Sequence, residues 1–348
     1  MARARARRAR RPVRAPGHAR LSTDAAGDEP TRPASPPAPL IVVGGPTATG
    51  KTAVALAIAE HLMVRHVPAE IVSADSRQVY RGLDIGTAKA TAEERARVVH
   101  HGIDLVEPDE PFTVADFRRH ALGALRDLRA SGGVGILAGG TGLWLRSVIA
   151  GIDTDSLPHD PAVRAALEEA VTRDGVDALA RRLRTEAPML AAHTDLRNPR
   201  RVVRALEVAT LRGDGPLPAP LGYGAPVLGV QLVVEPVTHR RWIANRARAQ
   251  FDAGLVEEAR SLRERFDPGL PAFSAIGYRE SWAHLDGTLT RADAIDLDAL
   301  HNAQFAKRQA TWFRREPALA VVDATRDPMA ELAPRVDAFL DAVAVNPA

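Results

Sequence analysis

The residues with the plainest chemical purpose are Gly45-Pro46-Thr47-Ala48-Thr49-Gly50-Lys51-Thr52, which fit G-x-x-x-x-G-K-[ST]. Glycines at this spacing let a backbone wrap closely, so that successive N–H groups point inward at phosphate oxygens. A helix starting at the end of the loop adds the positive end of its dipole. Lys51 is placed to reach a terminal phosphate, and the Thr52 hydroxyl to ligate Mg2+. The pattern specifies a di- or triphosphate, as in ATP-binding proteins, but not which molecule carries it.

A second polar cluster follows closely: Asp75-Ser76-Arg77-Gln78-Val79-Tyr80, then Asp84-Ile85-Gly86-Thr87-Ala88-Lys89. Asp75 has competing readings. A nucleotide hydrolase places an acid at the end of an apolar strand to hold Mg2+ through water, whereas an aspartate here also suits a helix cap. The position, just past a strand end, is where α/β proteins put ligands. Further along, Arg200, Arg201 and Arg204 share a helix face at i, i+1 and i+4, which reads as a solvated face or a phosphate-binding one. Lys307, Arg308, Arg314 and Arg315 surround Trp312 and Phe313. Such a mixture suits splayed RNA bases, although rings there also serve as packing. His100 and His101 lack a second ligand cluster at metal spacing, so they read as structural residues near a strand end.

These groups need elements to hold them. Leu40-Ile41-Val42-Val43 is an apolar run bounded by Gly44-Gly45 and predicts a buried strand. A helix with Val54, Leu56, Ile58 and Leu62 follows from Lys51 to about Val64. Ile71–Ala74 predicts a strand ending at Asp75, and Gly135–Ala138 another ending at Gly139-Gly140-Thr141-Gly142. A helix carrying Leu143, Leu145, Val148 and Ile149 starts there. Strands alternating with helices imply an α/β fold with a mainly parallel sheet covered on both faces. Residues 158–212, 238–265 and 291–316 read as helical, and Val227–Val234 as a strand returning to the sheet. The expected organisation is a core over 39–157, a helical insert over 158–215, and core completion with C-terminal helices over 216–348.

With 348 residues, 45% hydrophobic and 26% charged, the chain has ample core for one large domain or two modest ones. It has no cysteine, which excludes disulfides, cysteine nucleophiles and cysteine-held zinc and is compatible with a reducing cytoplasm. No apolar run reaches the roughly 18 residues of a membrane span. The net charge of +3 conceals a division: residues 1–38 carry nine Arg and three acids, a net +6, leaving the remainder at −3. Nucleic-acid binding by the folded part therefore requires a local basic surface. Residues 1–38 have the composition of a disordered basic tail, with a phosphate-attracting arm or a transit segment as other readings.

Several further blocks appear in order: H-H-G-I-D-L-V-E-P (100–108), F-T-V-A-D-F (112–117), G-G-T-G-L-W-L (139–145), N-P-R-R-V-V-R-A-L-E-V (198–208), I-G-Y-R-E (276–280) and K-R-Q-A-T-W-F-R-R-E (307–316). Together with G-P-T-A-T-G-K-T and D-S-R-Q-V-Y-R-G-L-D-I-G-T-A-K, they resemble the bacterial tRNA dimethylallyltransferase (isopentenyl-tRNA transferase) family, over about four-fifths of the chain. The resemblance implies a P-loop-type core with a helical insert that grips the tRNA anticodon arm. It also implies a prenyltransferase in which N6 of adenosine 37 attacks C1 of dimethylallyl diphosphate, with Mg2+ helping diphosphate leave.

Carried over residue by residue, the resemblance makes Asp75 the catalytic aspartate and places Thr141 near the reacting centre. A carboxylate general base suits an exocyclic amine whose lone pair is delocalised into the ring. Lys51, the loop amides and Mg2+ stabilise the leaving charge, and Arg246 aligns with a diphosphate-contacting arginine. Expected tRNA contacts are Asp75, Ser76, Arg77, Gln78, Thr141, Arg164, Arg200, Arg201, Arg204, Ser274, Gly277, Tyr278, Arg279, Lys307, Arg308, Gln309, Trp312 and Arg314. A cytoplasmic monomer is expected.

The chain departs from the family pattern at Trp242, where arginine is common and Arg241 lies one position away. Gly142 and Trp144 depart too, with the expected effect of reshaping a prenyl pocket wall. An adenylate isopentenyltransferase shares the loop and the Asp75 block but needs neither the insert nor the K-R-Q-x-T-W-F-R region. A small-molecule kinase and a non-catalytic RNA-binding protein are the other readings.

Overall fold

The computed structural model describes residues 36–152, 156–316 and 318–345. The expected tail lies outside the described residues except at its end, which is ordered earlier than Leu40. Ala38 is fully buried, donates its N–H to the Leu125 carbonyl at 2.9 Å, and accepts the Tyr223 hydroxyl at 2.7 Å.

Strand β1 (Leu40–Gly44) leads through the glycine loop into helix α1 (Lys51–Val64). Next come β2 (Ala69–Ser73), α2 (Ala92–Arg97), β3 (His100–His101), α3 (Val114–Ala130), β4 (Val134–Gly139) and α4 (Gly142–Ile149). Helices α5 (Pro161–Asp174), α6 (Val176–Glu186), α7 (Pro188–Ala192) and α8 (Pro199–Arg212) form the insert. The chain returns as β5 (Val227–Val233), α9 (Pro236–Asp252), α10 (Leu255–Arg265), α11 (Tyr278–Leu285), α12 (Arg291–Phe313), β6 (Ala320–Asp323) and α13 (Pro328–Val345).

Among the described residues the strands form one parallel sheet in the order β3-β2-β4-β1-β5-β6. β1 and β4 are buried along their whole length, which explains their unbroken apolar character. One layer, with Phe117, Leu125, Trp144 and Phe251, covers one face. Another, with Val54, Ile58, Leu62 and Val336, covers the other. The insert buries its own cluster around Leu167, Leu183, Val202 and Leu206.

The expected helix over 238–265 is two helices: Gly254 adopts φ +103°, which ends α9 and opens α10. The first strands, α1 and α4 lie where the hydrophobic runs put them. No described helix is long and apolar enough to cross a membrane.

Candidate active site

The parallel register sends three loops to one end of the sheet. Gly44 of β1 pairs with Gly139 of β4, and Ser73 of β2 with Ala138. The glycine loop, the Asp75 segment and Thr141 therefore leave from the carboxyl ends of three neighbouring strands. Close approach is part of the design: a Cβ on Gly139 would lie 2.2 Å from the Ala74 carbonyl oxygen. Two hydrogen bonds then join the β2 and β4 loops. The Thr141 N–H donates to the Ala74 carbonyl at 3.1 Å, and the Thr141 hydroxyl accepts the Ser76 N–H at 3.1 Å. The Asp75 carboxylate accepts the Arg77 N–H at 2.9 Å, so it shapes its own turn and begins no helix.

The loop is held from outside. The Thr47 hydroxyl accepts Arg246 at 2.9 Å, its carbonyl contacts His239 Nε2 at 2.8 Å, and its N–H donates to Gln309 at 2.7 Å. Lys51 donates to the Pro46 carbonyl at 2.6 Å. Burial, reinforced by Arg246 and opposed by Asp75, lowers the Lys51 ammonium to about 7. Burial also lowers Arg246, against the pull of Asp75 and Asp298. Lys51, Arg246 and Asp75 thus lie within mutual electrostatic reach. Arg246 also has a buried Nε that finds no partner among the described residues. Two neighbouring cations and an unpartnered guanidinium nitrogen make this end of the sheet suited to an anion. Arg241 is exposed, while Arg246 reaches the loop.

Mg2+ holds most of its waters and takes one or two protein ligands beside phosphate oxygens. Thr52, exposed at the start of α1, fits that demand. Among the described residues no group of three or more acids or histidines gathers for a metal. His100 and His101 form β3, and His101 pairs with Glu70 at 2.6 Å.

The expected RNA contacts divide into outward and inward residues. Ser76, Arg77 and Gln78 are part-buried beside Asp75. Burial lowers Arg77, with Arg200 close enough to add to the effect and Tyr80 and Asp75 opposing it. Arg200, Arg201, Ser274, Arg279, Lys307, Arg308 and Arg314 are exposed. Ser274 and Arg279 line a cavity of about 230 Å³ with Ile276, Glu280 and His301.

Arg164 and Arg204 are otherwise engaged. Both donate to the fully buried Glu207, at 2.6 and 2.7 Å, and Arg204 also reaches the Leu157 and Pro158 carbonyls. Gly277 and Tyr278 are buried, and the Tyr278 hydroxyl donates to Glu258. Gln309 is buried too. Trp312 packs on Gly142, where a Cβ would lie 2.3 Å from its ring, with the Arg146 guanidinium 4.9 Å from the ring centroid. Trp144 stacks on Phe117 at 4.2 Å in the core.

Sequence reasoning missed Glu258, which accepts the N–H groups of Asp84, Ile85 and Gly86 at 3.2, 2.8 and 3.2 Å. It also missed Lys89, whose ammonium is buried between Asp84 and Asp104 at 2.7 and 2.6 Å. An apolar-periodicity reading does not weigh such long-range polar pairs.

A relative from Anaeromyxobacter dehalogenans (strain 2CP-C), a tRNA dimethylallyltransferase, is 44% identical over 307 residues, covering 86% of this chain and 99% of its own. One of the same name from Bordetella avium is 39% identical, over 82% and 92%. The crystal structure of the full-length tRNA isopentenylpyrophosphate transferase from Bacillus halodurans matches with TM-score 0.64 and 36% identity, covering 87% of this chain and 96% of that one. A eukaryotic dimethylallyltransferase acting on tRNA shares the fold at TM-score 0.73 and 22% identity, over 89% and 80%. The family model described as IPP transferase matches residues 78–316, and this chain belongs to that family.

Proposed function

We propose that this chain transfers a dimethylallyl group from dimethylallyl diphosphate to N6 of adenosine 37 in tRNAs reading U-initial codons, giving N6-isopentenyladenosine. The observation that carries the reading is that the glycine loop with Lys51, reached by Arg246 at Thr47, and the Asp75 segment joined to Thr141 leave the same end of the sheet. The names of the relatives support the substrate.

The N6 lone pair attacks C1 of the prenyl group as the C1–O bond breaks, and diphosphate departs with the bonding electrons. Asp75 takes the proton that N6 loses, a contribution of about 10²–10⁴-fold for a positioned base. Thr141, fixed against Ser76, orients the amine beside that carboxylate. Lys51, Arg246 and the loop amides hold the diphosphate as its charge grows. Thr52 would hold Mg2+, which when bound would add to the neutralisation of the leaving diphosphate. RNA lies over Arg200, Arg201, Arg279, Lys307, Arg308 and Arg314, where charge contributes without a globally basic surface.

Radiolabelled dimethylallyl diphosphate, Mg2+ and either unmodified tRNA or AMP test this directly. Label in tRNA is the expected result. Label in AMP alone indicates an adenylate isopentenyltransferase, and ATP turnover without prenyl transfer a kinase. Either of these rejects the proposal.

A further inference from the structure

Gln309 lies on the inward side of α12, beneath Lys307, Arg308 and Trp312 in the sequence block that supplies exposed cations. Its Oε1 accepts the Thr47 N–H at 2.7 Å, and its Nε2 donates to the Gly140 carbonyl at 2.9 Å. Both bonds are buried. One carboxamide therefore joins the phosphate loop after β1 to the loop after β4, next to Thr141.

The chemistry of the two partners fixes the orientation. The Thr47 N–H can only donate and the Gly140 carbonyl can only accept, so a carboxamide satisfies both and a carboxylate only the first. The fit is close: a Cβ at position 140 would stand 2.4 Å from Gln309 Nε2. With Arg246 and His239 on the other atoms of Thr47, this residue is held by three side chains from α9 and α12.

We propose that Gln309 is a positioning residue for prenyl transfer. Its carboxamide sets the spacing between the phosphate loop and Thr141, and ties that spacing to the seating of α12. The inference rests on the proposed function, because RNA pressed on the outer side of α12 then acts on the loop through Gln309. Misplacement of reacting groups by about 1 Å costs on the order of 10²-fold in rate. A residue in this role affects turnover far more than RNA affinity.

The test uses full-length Gln309→Ala and Gln309→Glu. It measures kcat, KM for both substrates, tRNA Kd, melting temperature, and hydrogen exchange of the Thr47 amide. For Gln309→Ala the expected result is a kcat lowered about tenfold or more, with tRNA Kd within about twofold and the Thr47 amide exchanging faster. Gln309→Glu keeps the Thr47 acceptor and loses the Gly140 donor. It should retain Thr47 protection while kcat falls less than in the alanine variant.

A raised tRNA Kd with unchanged kcat makes Gln309 an RNA contact and overturns the proposal. Unchanged kcat, KM and exchange overturn it as well. Should the alanine variant not fold, the near-isosteric glutamate and the wild-type exchange rate still decide. A fast-exchanging Thr47 amide in the wild type removes the bond on which the inference depends. If the wild type transfers no prenyl group to tRNA, the proposed function fails, while the exchange data, which need no turnover, still judge the bridge.

Discussion

The Tyr278 hydroxyl donates to Glu258 at 2.8 Å, and that same carboxylate receives three consecutive backbone N–H groups from residues 84–86. Burial, and then Glu258 itself, raises the Tyr278 phenol well above its ordinary range, so it remains a donor. Gln250 donates to the carbonyls of Ile85 and Gly86 at 2.6 and 3.0 Å. A tyrosine from a block expected to meet RNA thus fastens the segment that follows Asp75. Removing the carboxylate leaves four donors without their shared acceptor, three of them part-buried, whereas removing the hydroxyl orphans little. Glu258→Ala is expected to lower unfolding free energy by about 2–4 kcal/mol, and Tyr278→Phe by about 1 kcal/mol. Urea titration of both variants checks the order.

Glu207 plays the corresponding role in the insert. It is fully buried, receives Arg164 and Arg204, and accepts the Asp160 N–H at 3.0 Å. The two arginines and the backbone N–H hold the carboxyl below its ordinary range against the opposing effect of burial. Glu207→Ala removes the acceptor shared by two part-exposed arginines and a backbone N–H, at a cost of about 1–3 kcal/mol. The insert has its own core, so the loss should stay local. Hydrogen exchange should quicken across α5 and α8 while β1 and β4 remain protected.

Lys51 gives a pH signature. Its pKa is about 7 in the folded chain against 10.5 for an ordinary lysine. Between those values the unfolded chain binds more protons than the folded one, so this group makes stability rise with pH across the window. A bound diphosphate reverses the crowding by Arg246 and draws the proton back. At pH 8, binding of dimethylallyl diphosphate should therefore take up roughly 0.9 of a proton more in the wild type than in Lys51→Met. Calorimetry in buffers of differing ionisation enthalpy reads this number directly.

Local patterns revealed more of the core than of the long-range contacts. β1, β4 and α1 were legible because central parallel strands are continuously apolar and the glycine loop marks its own boundaries. The two-residue β3 was not, since a pair of histidines carries no strand signal. Thr141 is joined to Ser76 beside Asp75, and Arg246 reaches Thr47 of the glycine loop, because strand ends and a loop-facing helix fix them. The RNA list was less legible. Charge type does not reveal that Arg164 and Arg204 turn toward Glu207, that Tyr278 turns toward Glu258, or that Gln309 points inward. Those orientations depend on partners far away in the chain.

The central claim is that a carboxylate removes the proton from the attacking nitrogen while the glycine loop receives the diphosphate. Single-turnover transfer of labelled prenyl group to tRNA, in wild type and Asp75→Asn, measures that step apart from binding. The account predicts a rate lowered by about 10²–10⁴-fold in Asp75→Asn, with tRNA and diphosphate affinities nearly preserved. A variant that transfers at close to the wild-type rate would contradict it.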